Sequence, residues 1–174
     1  LPVYKALSES GGISAHVAAL LVANGKSVPA DLDTLDKVRQ QFQGIPNLTL
    51  PGIKIFADGA LGPRTAAMLQ AYAGEPGNTG ISLIDREGIL EAGIRAGRSG
   101  LPLAIHAIGD RANHEVLEAL TALRLHEQEH GLAPLRHRIE HLQLLHPDDV
   151  ARPTSLGLVA AMQPIHATSD MPMA

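Results

Sequence analysis

Apolar residues along this chain fall into short unbroken runs, separated by stretches in which they recur every three or four positions. The clearest run is Leu101-Pro102-Leu103-Ala104-Ile105-His106, stopped before by Ser99-Gly100 and after by Gly109-Asp110-Arg111. Unbroken runs of this length describe strands buried on both faces. The same pattern predicts a strand over 48–56, another over 137–141 and a last one over 158–162. The apolar stretch His16–Val22 lies in a segment, 13–23, that reads as strand or short buried helix, with strand preferred. Helical spacing covers 32–42 through Leu32, Leu35, Val38 and Phe42, with Asp31 or Asp33 to cap it. It covers 85–97 with Ile89, Leu90, Gly93 and Ile94 inward. It covers 112–129 with Val116, Leu117, Leu120 and Leu123 on one stripe, and Asp110 is the expected cap. Residues 1–12 read as the tail of a helix and a turn, and Pro147 opens a further short helix. Residues 57–65 form a glycine-rich loop, and 66–80 read as a long surface loop.

Strand and helix thus alternate about five times, which means a parallel sheet covered by helices. A complete eight-stranded β/α barrel needs roughly 250 residues. The 174 residues here therefore suit part of one, or a smaller open α/β sheet. Leu1 and Met171-Pro172-Met173-Ala174 look like cut ends, so the expectation is a piece of a longer protein.

Composition narrows the function. Hydrophobic residues make up 45% and charged residues 18%, with net charge -4 and no basic stripe, which argues for a globular domain and against nucleic acid. No run is long enough to span a membrane, and no signal peptide is visible. The absence of cysteine rules out disulfides and thiolate metal sites and suits a cytoplasmic protein.

The candidate chemistry sits at strand ends. His106 and His141 close two successive strands. Neighbouring strands lie about 4.8 Å apart, so the two imidazoles can share a metal ion; each could instead be a structural histidine. Lys54 lies inside an apolar strand, where burial is costly unless the amine is paired or neutral. It can become a carbamate that ligates metal, form a Schiff base with a carbonyl substrate, or snorkel to solvent. Asp58, Arg64, Gln163 and His166 follow strands and could line the same mouth, although loop pairing or a turn also explains them. His114, His126, His130, His137 and His146 are expected at the surface.

Four segments carry a resemblance. They are Lys54-Ile55-Phe56-Ala57-Asp58-Gly59-Ala60-Leu61-Gly62-Pro63-Arg64-Thr65-Ala66, His106-Ala107-Ile108-Gly109-Asp110-Arg111-Ala112-Asn113, Arg138-Ile139-Glu140-His141-Leu142-Gln143, and Met162-Gln163-Pro164-Ile165-His166-Ala167-Thr168-Ser169-Asp170. In order, they resemble the motifs of the YtcJ-like amidohydrolases. This is the amidohydrolase-3 branch of the metal-dependent hydrolase superfamily, which includes N-substituted formamide deformylases. The resemblance implies a TIM-like (β/α)8 barrel, of which residues 1–174 would supply roughly units 3 to 7. It implies one or two divalent ions, usually zinc, held by Lys54 (as a carbamate derived from CO2), His106 and His141. A metal-activated water would attack the carbonyl of a small amide-like substrate and break a non-peptide C–N bond. Asp58, Arg64, Gln163 and His166 would contact substrate.

The family's His-x-His pair, its eighth-strand aspartate and its flanking β-sandwich have no counterpart in this sequence. The chain alone is therefore expected to be inactive. An open partial barrel with unpaired edges is also expected to self-associate, giving a homo-oligomer. The alternatives are a non-catalytic binding or structural domain with an amidohydrolase-like core, and a Schiff-base lyase using Lys54.

Overall fold

A computed structural model describes residues 2–23, 32–170 and 173. In chain order the elements are α1 (Pro2–Glu9), β1 (Val17–Ala18), β2 (Leu21–Val22), α2 (Leu35–Phe42), β3 (Leu48–Thr49), β4 (Ile53–Phe56), α3 (Arg86–Arg98), β5 (Leu103–Ala107), α4 (Asp110–Glu129), β6 (Arg138–His141), α5 (Arg152–Ser155), β7 (Val159–Ala161) and α6 (His166–Ser169). Five strands form one parallel sheet in the order β2-β4-β5-β6-β7, and β1 pairs with β3 in a second, two-stranded parallel sheet. Strands thus neighbour each other in chain order, as they do in a β/α barrel wall. The sheet stays open, with β2 and β7 at its edges.

The two sheets are two halves of one strand pair with a bulge between them. Val17 aligns with Leu48, but Leu21 aligns with Ile53, so the 48–56 run carries one extra residue. That residue falls at Leu50-Pro51-Gly52, where proline cannot donate to a ladder. The expected single strand is therefore broken in two.

One face of the five-stranded sheet holds the core. Ile53, Ile55, Leu103, Ile105, Ala107 and Ile139 are fully buried there, against Ile89, Ala92 and Ala96 of α3 and Val116, Leu117, Leu120 and Leu123 of α4. Each such aliphatic side chain contributes about 1.5–3 kcal/mol on burial. The α4 stripe is the predicted one. Gly93 lets α3 approach α4 closely, since a Cβ there would lie 2.5 Å from Leu123 Cδ2.

Several expectations change. The α4 helix starts at Asp110, with Gly109 as its N-cap. Asp110 does not cap it; its Oδ1 accepts from the Leu69 and Arg111 amides instead. The 66–80 segment is not a surface loop throughout, because Ala66, Ala67 and Tyr72 are buried. Asp31 lies outside the described residues, and Asp33 pairs with Arg95. Asp85 caps α3, accepting from Gly88 N at 2.8 Å. Pro147 opens only a 3-10 turn, Pro147–Asp149. His137 is not at the surface. It is 1% exposed, and its Nδ1 accepts from Leu103 N at 3.0 Å. Burial first, then the Arg124 charge, lowers its pKa to about 4. Among the described residues no helix is long and apolar enough to cross a membrane.

Candidate active site

Strand alternation puts the chemistry on the face that α3 and α4 do not cover. Two rows cross that face. Phe56, His106, Glu140 and Ala161 align in one, and Lys54, Ala104, Arg138 and Val159 in the other. His106 is thus level with Glu140, and Lys54 sits one step below on the neighbouring strand.

His141 pairs with Ala107, a helix-facing position, so regular alternation would send its side chain into the core. Its φ of 74° and the φ of 46° at Leu142 break the strand. Leu142 takes the core place, 4% exposed. The His141 ring instead meets His106, with centroids 4.7 Å apart and planes at 75°. The His166 ring is a second neighbour, its centroid 5.4 Å away.

Hydrogen bonds set the tautomers. His106 Nε2 lies 2.8 Å from the Gly59 carbonyl. A carbonyl only accepts, so Nε2 carries the proton and Nδ1 keeps its lone pair. His141 Nδ1 lies 2.7 Å from Gln163 Oε1, while Gln163 Nε2 donates to the Ala161 carbonyl at 3.1 Å. That second bond fixes the amide, so His141 donates from Nδ1 and keeps Nε2 as its lone pair. Burial lowers the pKa of His141, with nearby His106, Lys54 and His166 adding to it against the Gln163 bond. A neutral imidazole pinned at one nitrogen is the form that ligates metal.

Lys54 is half-buried, with Nζ 5.0 Å from the Phe56 ring centroid. Burial lowers its pKa, opposed by the Glu140 carboxylate and assisted by Arg138. Glu140 was not among the candidates from the sequence. It pairs with Arg138 at 2.5 Å, and its charge acts on Lys54 from two strands away, one row above.

Asp58 is 1% exposed and holds the site's frame. Its Oδ2 accepts from Ala67 N at 2.9 Å and Gly109 N at 2.8 Å, and its Oδ1 from Ile108 N at 3.0 Å. Oδ1 also lies 3.5 Å from His106 Nε2. Burial raises its pKa, while the three amides pull it down. The carboxylate thus clasps the 57–80 loop to the mouth of β5. The fit is close enough to require glycine. A Cβ on Gly109 would collide with the Ala67 backbone, and one on Gly59 with the Thr65 hydroxyl.

The remaining candidates divide. Gln163 and His166 stand beside His141 and line a cleft of ≈ 510 Å³ with Leu144, Met162, Pro164 and Ala167. His166 Nδ1 pairs with Asp170 at 2.6 Å, and Gln143 donates to the same carboxylate oxygen at 2.9 Å. The His166 bond leads in lowering the Asp170 pKa to about 2. Arg64 is not brought to them. It pairs with Glu75 and lines a separate cleft of ≈ 620 Å³ with Met68, Tyr72 and His146. Among the described residues no three His, Asp or Glu side chains converge as a metal site. The fit for a metal therefore rests on the two adjacent imidazoles, set edge to face, with Lys54 on the same face.

Histidines at the ends of successive parallel strands, over a sheet backed by helices, are arranged as in part of a β/α-barrel wall. The chain belongs to the amidohydrolase family, whose family model it matches over residues 1–174. It is 38% identical over 123 residues to the protein LONG AFTER FAR-RED 3 of Arabidopsis thaliana, covering 71% of this chain and 21% of that one. It is 34% identical over 128 residues to the YtcJ protein of Bacillus subtilis (strain 168), covering 73% and 23%. Among solved structures it is similar to an uncharacterised metal-dependent hydrolase of Pyrococcus furiosus, with TM-score 0.78 and 29% identity over 97% of this chain and 33% of that one. A counterpart from Pyrococcus horikoshii OT3 gives TM-score 0.76 and 32% identity over 97% and 32%. The chain therefore spans about a fifth of the curated relatives it matches and about a third of the solved structures.

Proposed function

We propose that this chain supplies one wall, and part of the ligand shell, of a metal-dependent amidohydrolase that cleaves a non-peptide C–N bond in a small amide. The observation that carries the reading is the His106–His141 pair, 4.7 Å apart, with Nδ1 of one and Nε2 of the other unprotonated. His106 and His141 would hold the ion, with Lys54 as a third ligand once carboxylated by CO2. Zinc suits two imidazoles and an oxygen ligand. When bound, such an ion polarises a carbonyl and makes water acidic enough to attack near neutral pH.

The chain's own residues do the rest. Gly59 and Gln163 hold the two rings in their ligating tautomers. Asp58 holds the loop that carries Gly59. His166, kept in place by Asp170, and Gln163 face the cleft where substrate would lie. Arg64 and Asp58 contribute through the loop. The chain by itself is inactive in this reading and self-associates through its open sheet edges. A second reading, a non-catalytic binding domain, draws on the lack of a three-residue His/Asp/Glu cluster among the described residues.

The test is elemental analysis of this chain and of a longer form of the protein, with intact mass to detect one carbon dioxide on Lys54. The hydrolase reading expects about one or two zinc equivalents in the longer form, lost with His106→Asn and His141→Asn, together with turnover of simple amides. A longer form that binds no divalent metal would sink it in favour of the binding domain.

A further inference from the structure

The last turn of α4 carries His126-Glu127-Gln128-Glu129-His130, far from the site above. His126 lies sixteen residues beyond Asp110, where α4 begins, so about 24 Å separates it from the sheet's mouth at 1.5 Å per residue. Residues four apart share one helix face. The two rings are neighbours there, with centroids 4.0 Å apart and planes tilted by 31°. His130 Nδ1 lies 2.8 Å from the His126 carbonyl. That acceptor fixes the proton on Nδ1, so His130 keeps its lone pair on Nε2. His130 is exposed and His126 half-buried.

The spacing H-E-x-x-H serves in metal peptidases to hold zinc, with the glutamate as general base. Here the glutamate is turned away. Glu127 is 6% exposed. It bonds Arg124 at 2.6 Å, lies 3.7 Å from His137 Nε2 and accepts from Leu135 N at 3.5 Å. It belongs to the buried base of the sheet and cannot serve a water above the histidines.

We propose that His126 and His130 form a surface two-histidine chelate for a borderline divalent transition ion, Zn2+ or Cu2+, that binds without hydrolytic chemistry. Imidazole ligands suit these ions. Among the described residues no third His, Asp or Glu completes a cluster, which leaves the other positions to water or to a donor from another molecule. The bound ion would staple the final turn of α4.

The experiment titrates Zn2+ alone into the protein with His106→Asn and His141→Asn in place, by calorimetry and by NMR of the histidine ring signals. One site is expected, whose binding perturbs the His126 and His130 rings. Either His126→Asn or His130→Asn should weaken it on the order of a hundredfold, since each removes one arm of a bivalent contact. His130 is exposed and His126 half-buried, and circular dichroism verifies the fold of each variant. Zinc affinity unchanged by His126→Asn, or no zinc bound, overturns the proposal. If the His106→Asn, His141→Asn protein does not fold, the unsubstituted chain decides: the His126 and His130 signals must move on zinc addition, and still signals refute it.

Discussion

Asp58→Asn weakens the clasp between the 57–80 loop and the mouth of β5 with minimal change in shape. The native carboxylate receives three buried amides, two on Oδ2 and one on Oδ1. An asparagine keeps most by setting its carbonyl oxygen where Oδ2 was. Its amide nitrogen then faces the Ile108 N–H, donor against donor. The lost charge-assisted bond and the stranded N–H cost about 3 kcal/mol. Relief from burying a carboxylate, whose pKa burial pushes upward, offsets part of this. The expected net loss is about 2 kcal/mol. Since 1.4 kcal/mol is tenfold, local opening should increase about thirtyfold. Amide hydrogen exchange at Ala67, Ile108 and Gly109 reads this directly, and a urea midpoint reads the global part. The Gly59 carbonyl rides on the same loop, so the His106 Nε2 proton should lose its fixed partner, visible as tautomer mixing by nitrogen NMR. Unchanged exchange at Ile108, with a stability change under about 0.5 kcal/mol, would refute the clasp.

Three other outcomes follow from the same contacts. His137 has a folded pKa of about 4 against an ordinary 6.5, so the unfolded chain binds the extra proton. Stability is then full above about pH 6.5 and falls as pH drops toward 4, by on the order of 3 kcal/mol, and His137→Gln should flatten that slope in pH-dependent urea melts. Gly109→Ala drives a methyl into the Ala67 backbone and should cost about 1–3 kcal/mol by thermal denaturation. Gln163→Ala frees His141 Nδ1; in the longer protein, metal affinity should fall about 10–100-fold by competition with a chelator, with little change in melting temperature of the metal-free form.

Much of the frame was legible because the physics is local. Unbroken apolar runs mark β4, β5 and β6, and the Val116-Leu117-Leu120-Leu123 stripe marks the buried side of α4. Strand-end positions alone pointed to His106 and His141. What escaped depends on partners distant in the chain. His137 reads as a surface residue until the Leu103 amide and Glu127 close over it. The 66–80 segment reads as surface because its anchor, Asp58, reaches Ile108 and Gly109 about fifty residues further on. Glu140 was within reach: alternation along Arg138-Ile139-Glu140 puts it level with His106. The left-handed turn at His141 and Leu142 was hard to foresee: histidine enters positive φ somewhat more readily than most residues, but that is a weak signal, and leucine gives none.

That turn makes the aim of His141 depend on an oily counterweight. Two non-glycine residues at positive φ cost about 1–2 kcal/mol each, and the burial of Leu142 is of similar size. The imidazole faces its neighbour only while Leu142 stays seated behind the sheet. A softened core on the helix side would let the strand relax to ordinary alternation and withdraw the ring. Heat or a small-to-large swap in α4 would therefore withdraw the His141 ring from the proposed metal face in a protein that still looks folded.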